Sequence, residues 1–156
     1  MPQIRSVLAA VFMVGAAPSF ADPIQIPGSP VVLDLPNGFT AARGGLENTR
    51  LKALVRIFTD QNFAHWEQFF RVSARAYRKG NLNRPDPHLY FYYFWPDTKD
   101  AEFNVVFTQA GITAKVLIEV DTGSILKNAI SFDAIERSLA GARVVSPTAP
   151  VAPAKP

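Results

Sequence analysis

Cysteine is absent from the 156-residue chain. With it go disulfides, thiolate metal sites, thiol nucleophiles and any lipid attached through a cysteine. Histidine is nearly as scarce: the sequence holds His65 and His88, and neither sits in a spacing such as His-Glu-x-x-His that would hold zinc. No Gly-x-Ser-x-Gly or Ser-x-x-Lys marks a serine as a nucleophile. The glycines of "NGFTAARGG" lack the strand-to-helix setting of a phosphate loop. A long apolar run is missing too, since the stretch from Val7 to Ala17 falls well short of the roughly 20 residues a spanning helix needs. These deficits exclude most named chemistries, and a small envelope hydrolase using His65, Glu67 or His88 is the third of three functional expectations. Asp60 and Glu67, seven residues apart, suggest a carboxylate pair, but a cap role for Asp60 would occupy its oxygens.

What is present begins with Arg5, the Val7 to Ala17 run, and Ser19 and Ala21 set as small residues at −3 and −1 of a cleavage point. This is the form of a secretory signal peptide over 1–21, cleaved near Ala21. A small exported domain without disulfides fits a periplasmic, bacterial setting, with secretion as the wider class. The formal charge of +3 is too small to argue for nucleic acid. Its distribution says more: Arg43, Arg50, Lys52, Arg56, Arg71, Arg75, Arg78, Lys79 and Arg84 make the middle basic. Asp86, Asp97, Asp100, Glu102, Glu119, Asp121 and Asp133 make the rest acidic.

Residues 22–45 carry prolines around the short apolar run Val31 to Leu35 and read as an extended arm with one edge strand. Leu51, Leu54, Val55 and Phe58 recur at helical spacing and predict a helix over 47–58. Thr59 or Asp60 then caps a second helix over 61–79, with Phe63, Trp66, Phe70, Ala74 and Tyr77 inward; one long bent helix is the alternative. Three strands follow: "HLYFYYFW" at 88–95, one near 101–109 and one near 112–120, with a turn at Ala110 and Gly111. "SFDAIERSL" predicts a short helix capped by Ser131. The Pro- and Ala-rich segment 142–156 is too poor in core residues to fold and reads as disordered or as a polyproline spacer. The expected fold is α+β: a single domain at 46–141 with two N-terminal helices packed on one face of a three- to four-stranded antiparallel sheet.

Residues 102–126, "EFNVVFTQAGITAKVLIEVDTGSIL", resemble the hairpin and terminal turn of PepSY-type domains. The match rests on Val120, Asp121, Thr122 and Gly123, with Ile125 and Leu126 beyond; the family usually has one more residue between the aspartate and the threonine. The resemblance implies a noncatalytic exported module that inhibits or chaperones peptidases in the cell envelope. Cystatin-like and nuclear-transport-factor-like layouts share a helix on a curved sheet and stay open beside it.

On the aromatic strand, period 2 puts Leu89, Phe91, Tyr93 and Trp95 on one face, the more apolar and therefore the inner one. His88, Tyr90, Tyr92 and Phe94 occupy the other, a mixture of rings, hydroxyls and imidazole expected where one side is apolar and the other wet. The arm, a second subunit or a partner would cover it. Arg71, Arg75 and Arg78, at i, i+4 and i+7, would form a guanidinium stripe on the second helix for phosphate or carboxylate groups. These seven residues are the candidate binding positions, with no cofactor and no metal expected. The leading expectation is a noncatalytic protein-binding or inhibitory module with an envelope partner, homodimerisation being open. The second is a lipid- or glycan-binding protein with an aromatic pocket between helix and sheet, the arginines meeting an anionic group.

Overall fold

The computed structural model describes Phe20 and residues 22–146. The signal-peptide expectation, Phe20 apart, and the tail beyond 146 lie outside the described residues. In chain order the elements are β1 (Ile24–Gln25), β2 (Val31–Leu33), β3 (Thr40–Ala42), β4 (Gly45–Asn48), β5 (Ala53–Phe58), α1 (Phe63–Val72), β6 (Arg78–Gly80) and β7 (His88–Tyr93). Then come β8 (Asp100–Gln109), β9 (Ile112–Asp121), α2 (Thr122–Leu126), α3 (Phe132–Ala140) and β10 (Arg143–Val144). A seven-stranded antiparallel sheet runs β3-β4-β5-β9-β8-β7-β6, and a three-stranded one runs β1-β2-β10. The class is α+β with antiparallel sheets. Strands outweigh helices, 40% to 19%, which overturns the expectation of two N-terminal helices on a three- to four-stranded sheet.

The first predicted helix, 47–58, is instead the β4–β5 hairpin. Asn48 accepts a hydrogen bond from the Leu51 amide at 3.0 Å, and Lys52 takes φ 49°, so the chain turns where a helix would have to continue. Beyond the turn Ala53 and Val55 are buried on one face while Leu54, Arg56 and Phe58 take the other. Leu54 and Phe58 are half-buried as well, so apolar residues stand on both faces. That blurs the alternation and leaves spacings of three and four that imitate a helix.

The second predicted helix survives as α1 but starts and stops inside its forecast bounds. Asn62, not Thr59 or Asp60, is the cap: its Oδ1 accepts from the His65 amide at 2.8 Å. At the other end the Tyr77 hydroxyl donates to Glu102 at 2.5 Å, and Arg78, Lys79 and Gly80 pair with Tyr92, Phe91 and Tyr90. Pairing with the sheet therefore claims residues whose side-chain spacing continued the helical pattern.

The helices do not share one face. Trp66 and Phe70 of α1 pack with Val106, Phe58, Leu89 and Phe91. On the opposite face, Ile135 and Leu139 of α3 and Val31 and Leu33 of β2 pack with Val55, Phe103, Phe107 and Tyr90. The sheet is thus buried from both sides around β8 and β9. These two strands are joined by a two-residue turn at Ala110 (φ 49°) and Gly111 (φ 75°), the paired positive values that match hairpin twist. Segment 22–45 supplies three strands, and Arg143 and Val144, at the head of the predicted tail, pair with Val32 and Val31.

Candidate functional site

His88, Tyr90, Tyr92 and Phe94 lie on the α3 side of the sheet, Arg71 lies on α1 at the other side, and Arg78, opposite Tyr92 in the ladder, belongs by register to the tyrosine side. Tyr90 is 1% exposed, and its hydroxyl donates to Glu136 of α3 at 2.8 Å. Burial, then Glu136, pushes that hydroxyl's pKa up. A side chain at Gly80 would stand 2.7 Å from the Tyr90 ring, so a glycine lets β6 lie along it. Tyr92 stacks between Tyr90 and Phe103 and meets the edge of Phe132, which Phe94 also abuts at 5.1 Å. His88 accepts from the Leu82 amide through Nε2 at 3.3 Å, while its Nδ1 lies 2.9 Å from the Asp86 carbonyl. The Tyr90 hydroxyl and the His88 ring nitrogens are thus committed within the chain, to α3 and to the loop before β7.

Arg71, Arg75 and Arg78 are all exposed. They do not form a stripe on one helix: Arg71 closes α1, Arg75 lies in the following turn, and Arg78 opens β6 with its guanidinium 5.2 Å from the Trp95 ring. The side of β7 carrying Leu89 and Phe91 does pack on α1, as expected; Phe91 stacks on Phe70 at 4.3 Å and 6°. Between them opens a cleft of about 420 Å³ lined by Glu67, Phe70, Arg71, Ala74, Tyr77, Lys79, Leu89 and Phe91. Its walls are aromatic and aliphatic; Arg71 and Lys79 supply two positive charges and Glu67 one carboxylate. That volume falls within the range of small-molecule sites.

A line of ring contacts leads from this cleft along the sheet: Phe69 to Phe70 at 5.2 Å, Phe70 to Tyr77 at 5.3 Å, Tyr77 to Tyr93 at 6.3 Å and Tyr93 to Trp95 at 6.4 Å. Asn104, paired with Phe91 across the ladder, is buried, and neither side-chain polar atom has a partner among the described residues. Beside Phe70 the Lys115 ammonium stands over Trp66 at 4.3 Å, Phe58 at 4.8 Å, and Phe69 and Phe70 at 5.7 Å. Burial lowers its pKa, and the Glu102 charge opposes that shift.

Past Leu117 and Asn104 the same face turns acidic. Glu102 stands opposite Glu119, and Asp100 opposite Asp121. Burial raises the Glu119 carboxyl, Asp100 and Glu102 raise it further, and Arg56 works against them. Among the described residues the ion pairs are Arg84 with Asp86 and Arg143 with Asp34. The exposed arginines and the carboxylate ladder therefore do not neutralise each other at contact distance. Among the described residues, no group of three or more His, Asp or Glu is arranged to hold a metal.

Neither the family models nor the curated proteins compared with this chain match it. Arg71 was legible as a site residue in the sequence; Lys79, Leu89 and Phe91 were visible only as charge and core. A signal for the cleft did exist: Phe70 four residues after Trp66, and two apolar positions of one strand face, required a helix-to-strand contact.

Proposed function

We propose that the protein is an exported, noncatalytic binding protein that holds an amphiphilic anion, an acyl chain ending in carboxylate or phosphate, in the cleft between α1 and β7. The observation that carries this reading is the pairing of an apolar floor, Phe70, Leu89 and Phe91, with cationic Arg71 and Lys79, two charges against the one carboxylate of Glu67, on the same cleft. An acyl chain gains by leaving water against the rings, at about 0.8 kcal/mol per methylene. A guanidinium fork and an ammonium then fix the charged end. This is the lipid-binding expectation with one change: of the three arginines, Arg71 alone lines the cleft, and Lys79 joins it.

Titration with dodecanoate and with dodecanol, read by Trp66 fluorescence and native mass spectrometry, tests it. Trp66 lies 6.4 Å from Phe70 and so reports on the cleft wall. Dodecanoate binds more tightly than dodecanol; Arg71→Glu with Lys79→Glu removes that preference, and Leu89→Trp, which fills the cleft, removes binding of both. Binding unchanged in a folded Leu89→Trp variant, or no dodecanoate binding by the native chain, defeats the reading. The second reading, a module that binds or inhibits an envelope protein, draws on the carboxylate ladder and the PepSY-type resemblance. It takes the lead if dodecanoate does not bind.

A further inference from the structure

We propose that α1 and the turn after it dock the molecule on an anionic membrane surface, with the cleft held at the headgroup level to take its ligand from there. The proposal rests on the cleft reading above and names the source of its ligand.

Val72 is 74% exposed, Phe69 39% and Trp95 41%, three of the large apolar side chains that the described residues leave in water. Phe69 and Val72 are three apart on α1 and so share a side of it, and His65 precedes Phe69 by four, an amphipathic ring on the same stripe. Trp95 lies at the far end of a run of rings, Phe69, Phe70, Tyr77, Tyr93, that passes through the buried Phe70, and so forms a second apolar point apart from the α1 stripe. Arg71, Arg75 and Lys79 stand around the α1 surface and Arg78 beside Trp95, all exposed and without a carboxylate at ion-pair distance among the described residues.

Exposed apolar side chains among unpaired cations match the boundary between headgroups and acyl chains: rings and Val72 enter, and the charges meet phosphates. A soluble anion would use the arginines but give Val72 nothing to bury against. The carboxylate ladder sets the orientation, because Glu102, Glu119, Asp100 and Asp121 occupy the other end of the same face and are repelled by the anionic surface that attracts Arg75. Docking is therefore tilted onto α1. No helix among the described residues is long and apolar enough to cross a membrane, so the attachment is interfacial.

Cosedimentation with phosphatidylcholine vesicles, with and without phosphatidylglycerol, tests the proposal in the full chain beside the dodecanoate titration. The native chain binds the anionic vesicles and leaves the neutral ones, and high salt weakens binding. Val72→Asp and Arg75→Glu, which lie outside the cleft lining, each lower vesicle affinity roughly tenfold while dodecanoate binding stays. Dodecanoate binding without vesicle binding overturns the docking and leaves the cleft reading standing. Vesicle binding without dodecanoate binding does the reverse. Equal binding to both vesicle types, or vesicle affinity unmoved in both variants, also overturns the docking, as does a salt-sensitive dimer that involves Val72 and excludes vesicles.

Discussion

Lys115 presents its ammonium to a box of four aromatic rings and not to a carboxylate. Two effects compete there. Ring faces attract a cation by about 0.5 to 2 kcal/mol, whereas taking an ammonium out of water costs several kcal/mol; burial wins, since it lowers the group's pKa below the ordinary 10.5. The unfolded chain then holds this proton more firmly than the folded one. The residue's contribution to stability is least favourable near neutral pH and improves as pH rises toward 10.5. Lys115→Met, which keeps the unbranched stem among the rings, is expected to raise stability at pH 7 by about 1 kcal/mol. The gain should shrink at pH 9.5 in urea unfolding. A variant less stable than the native chain at pH 7 would mean that the rings outweigh desolvation.

At the scale of elements, the β8–β9 ladder carries a strain that its register makes unavoidable. Pairing Gln109 with Ile112 through a two-residue turn forces Glu102 opposite Glu119 and Asp100 opposite Asp121. Like charges directly opposed are destabilising, and the Glu119 carboxyl is raised first by burial and then by Asp100 and Glu102. A carboxyl raised in the folded state holds its proton there while the unfolded chain has lost it. The cost is therefore full at neutral pH and relieved as pH falls toward the ordinary 4.5. Glu119→Gln should stabilise by about 0.5 kcal/mol at pH 7, with the gap closing near pH 4.5; a gap independent of pH would assign the effect to something other than charge. The ladder was legible in sequence, because "AEFNVVFTQ" and "ITAKVLIEV" meet at an Ala-Gly turn and alternate. The Ser131 cap of α3 was legible too, its hydroxyl accepting from Ala134 at 3.1 Å. The hairpin at 45–58 was not, because a strand covered on both faces loses its period. Nor was the end of α1, which the Tyr77 bond to Glu102, 25 residues away, and the pairing of β6 with β7 decide. The cleft inherits both limits: its aromatic wall could be read from spacing, its second cation and its shape only from where the chain leaves the helix.

Across the whole molecule, one buried arginine ties the two sheets and α3 together. Arg84, its side chain 2% exposed, forks onto Asp86 with two bonds of 2.8 Å. Its Nη1 donates to the carbonyls of Leu139, Ala140 and Ala142 at the end of α3. The plane of charge lies 4.1 Å from the Phe107 ring centroid. Gln109 extends the network, donating to Asp86 at 3.0 Å and accepting from the Val144 amide at 3.0 Å, so β8 of the large sheet is joined to β10 of the small one. A chain without cysteine thus fastens the end of α3 and β10 onto the large sheet by hydrogen bonds. Burial alone would raise the Asp86 carboxyl, but the bonds and charge of Arg84, with the Gln109 bond, outweigh it and hold the pKa below the ordinary 3.8. The carboxylate therefore contributes fully above that ordinary value, and the contribution is lost as pH falls through the folded-state value. Arg84→Met leaves Asp86 buried without its partner and is expected to cost about 3 to 5 kcal/mol. Arg84→Lys keeps the charge but not the planar fork, and should recover less than half of that loss. In Asp86→Asn the slope of stability against pH below 4 should flatten. Arg84→Lys as stable as the native chain, or an unchanged acid slope in Asp86→Asn, would show that packing on Phe107, not the fork, holds the two sheets together.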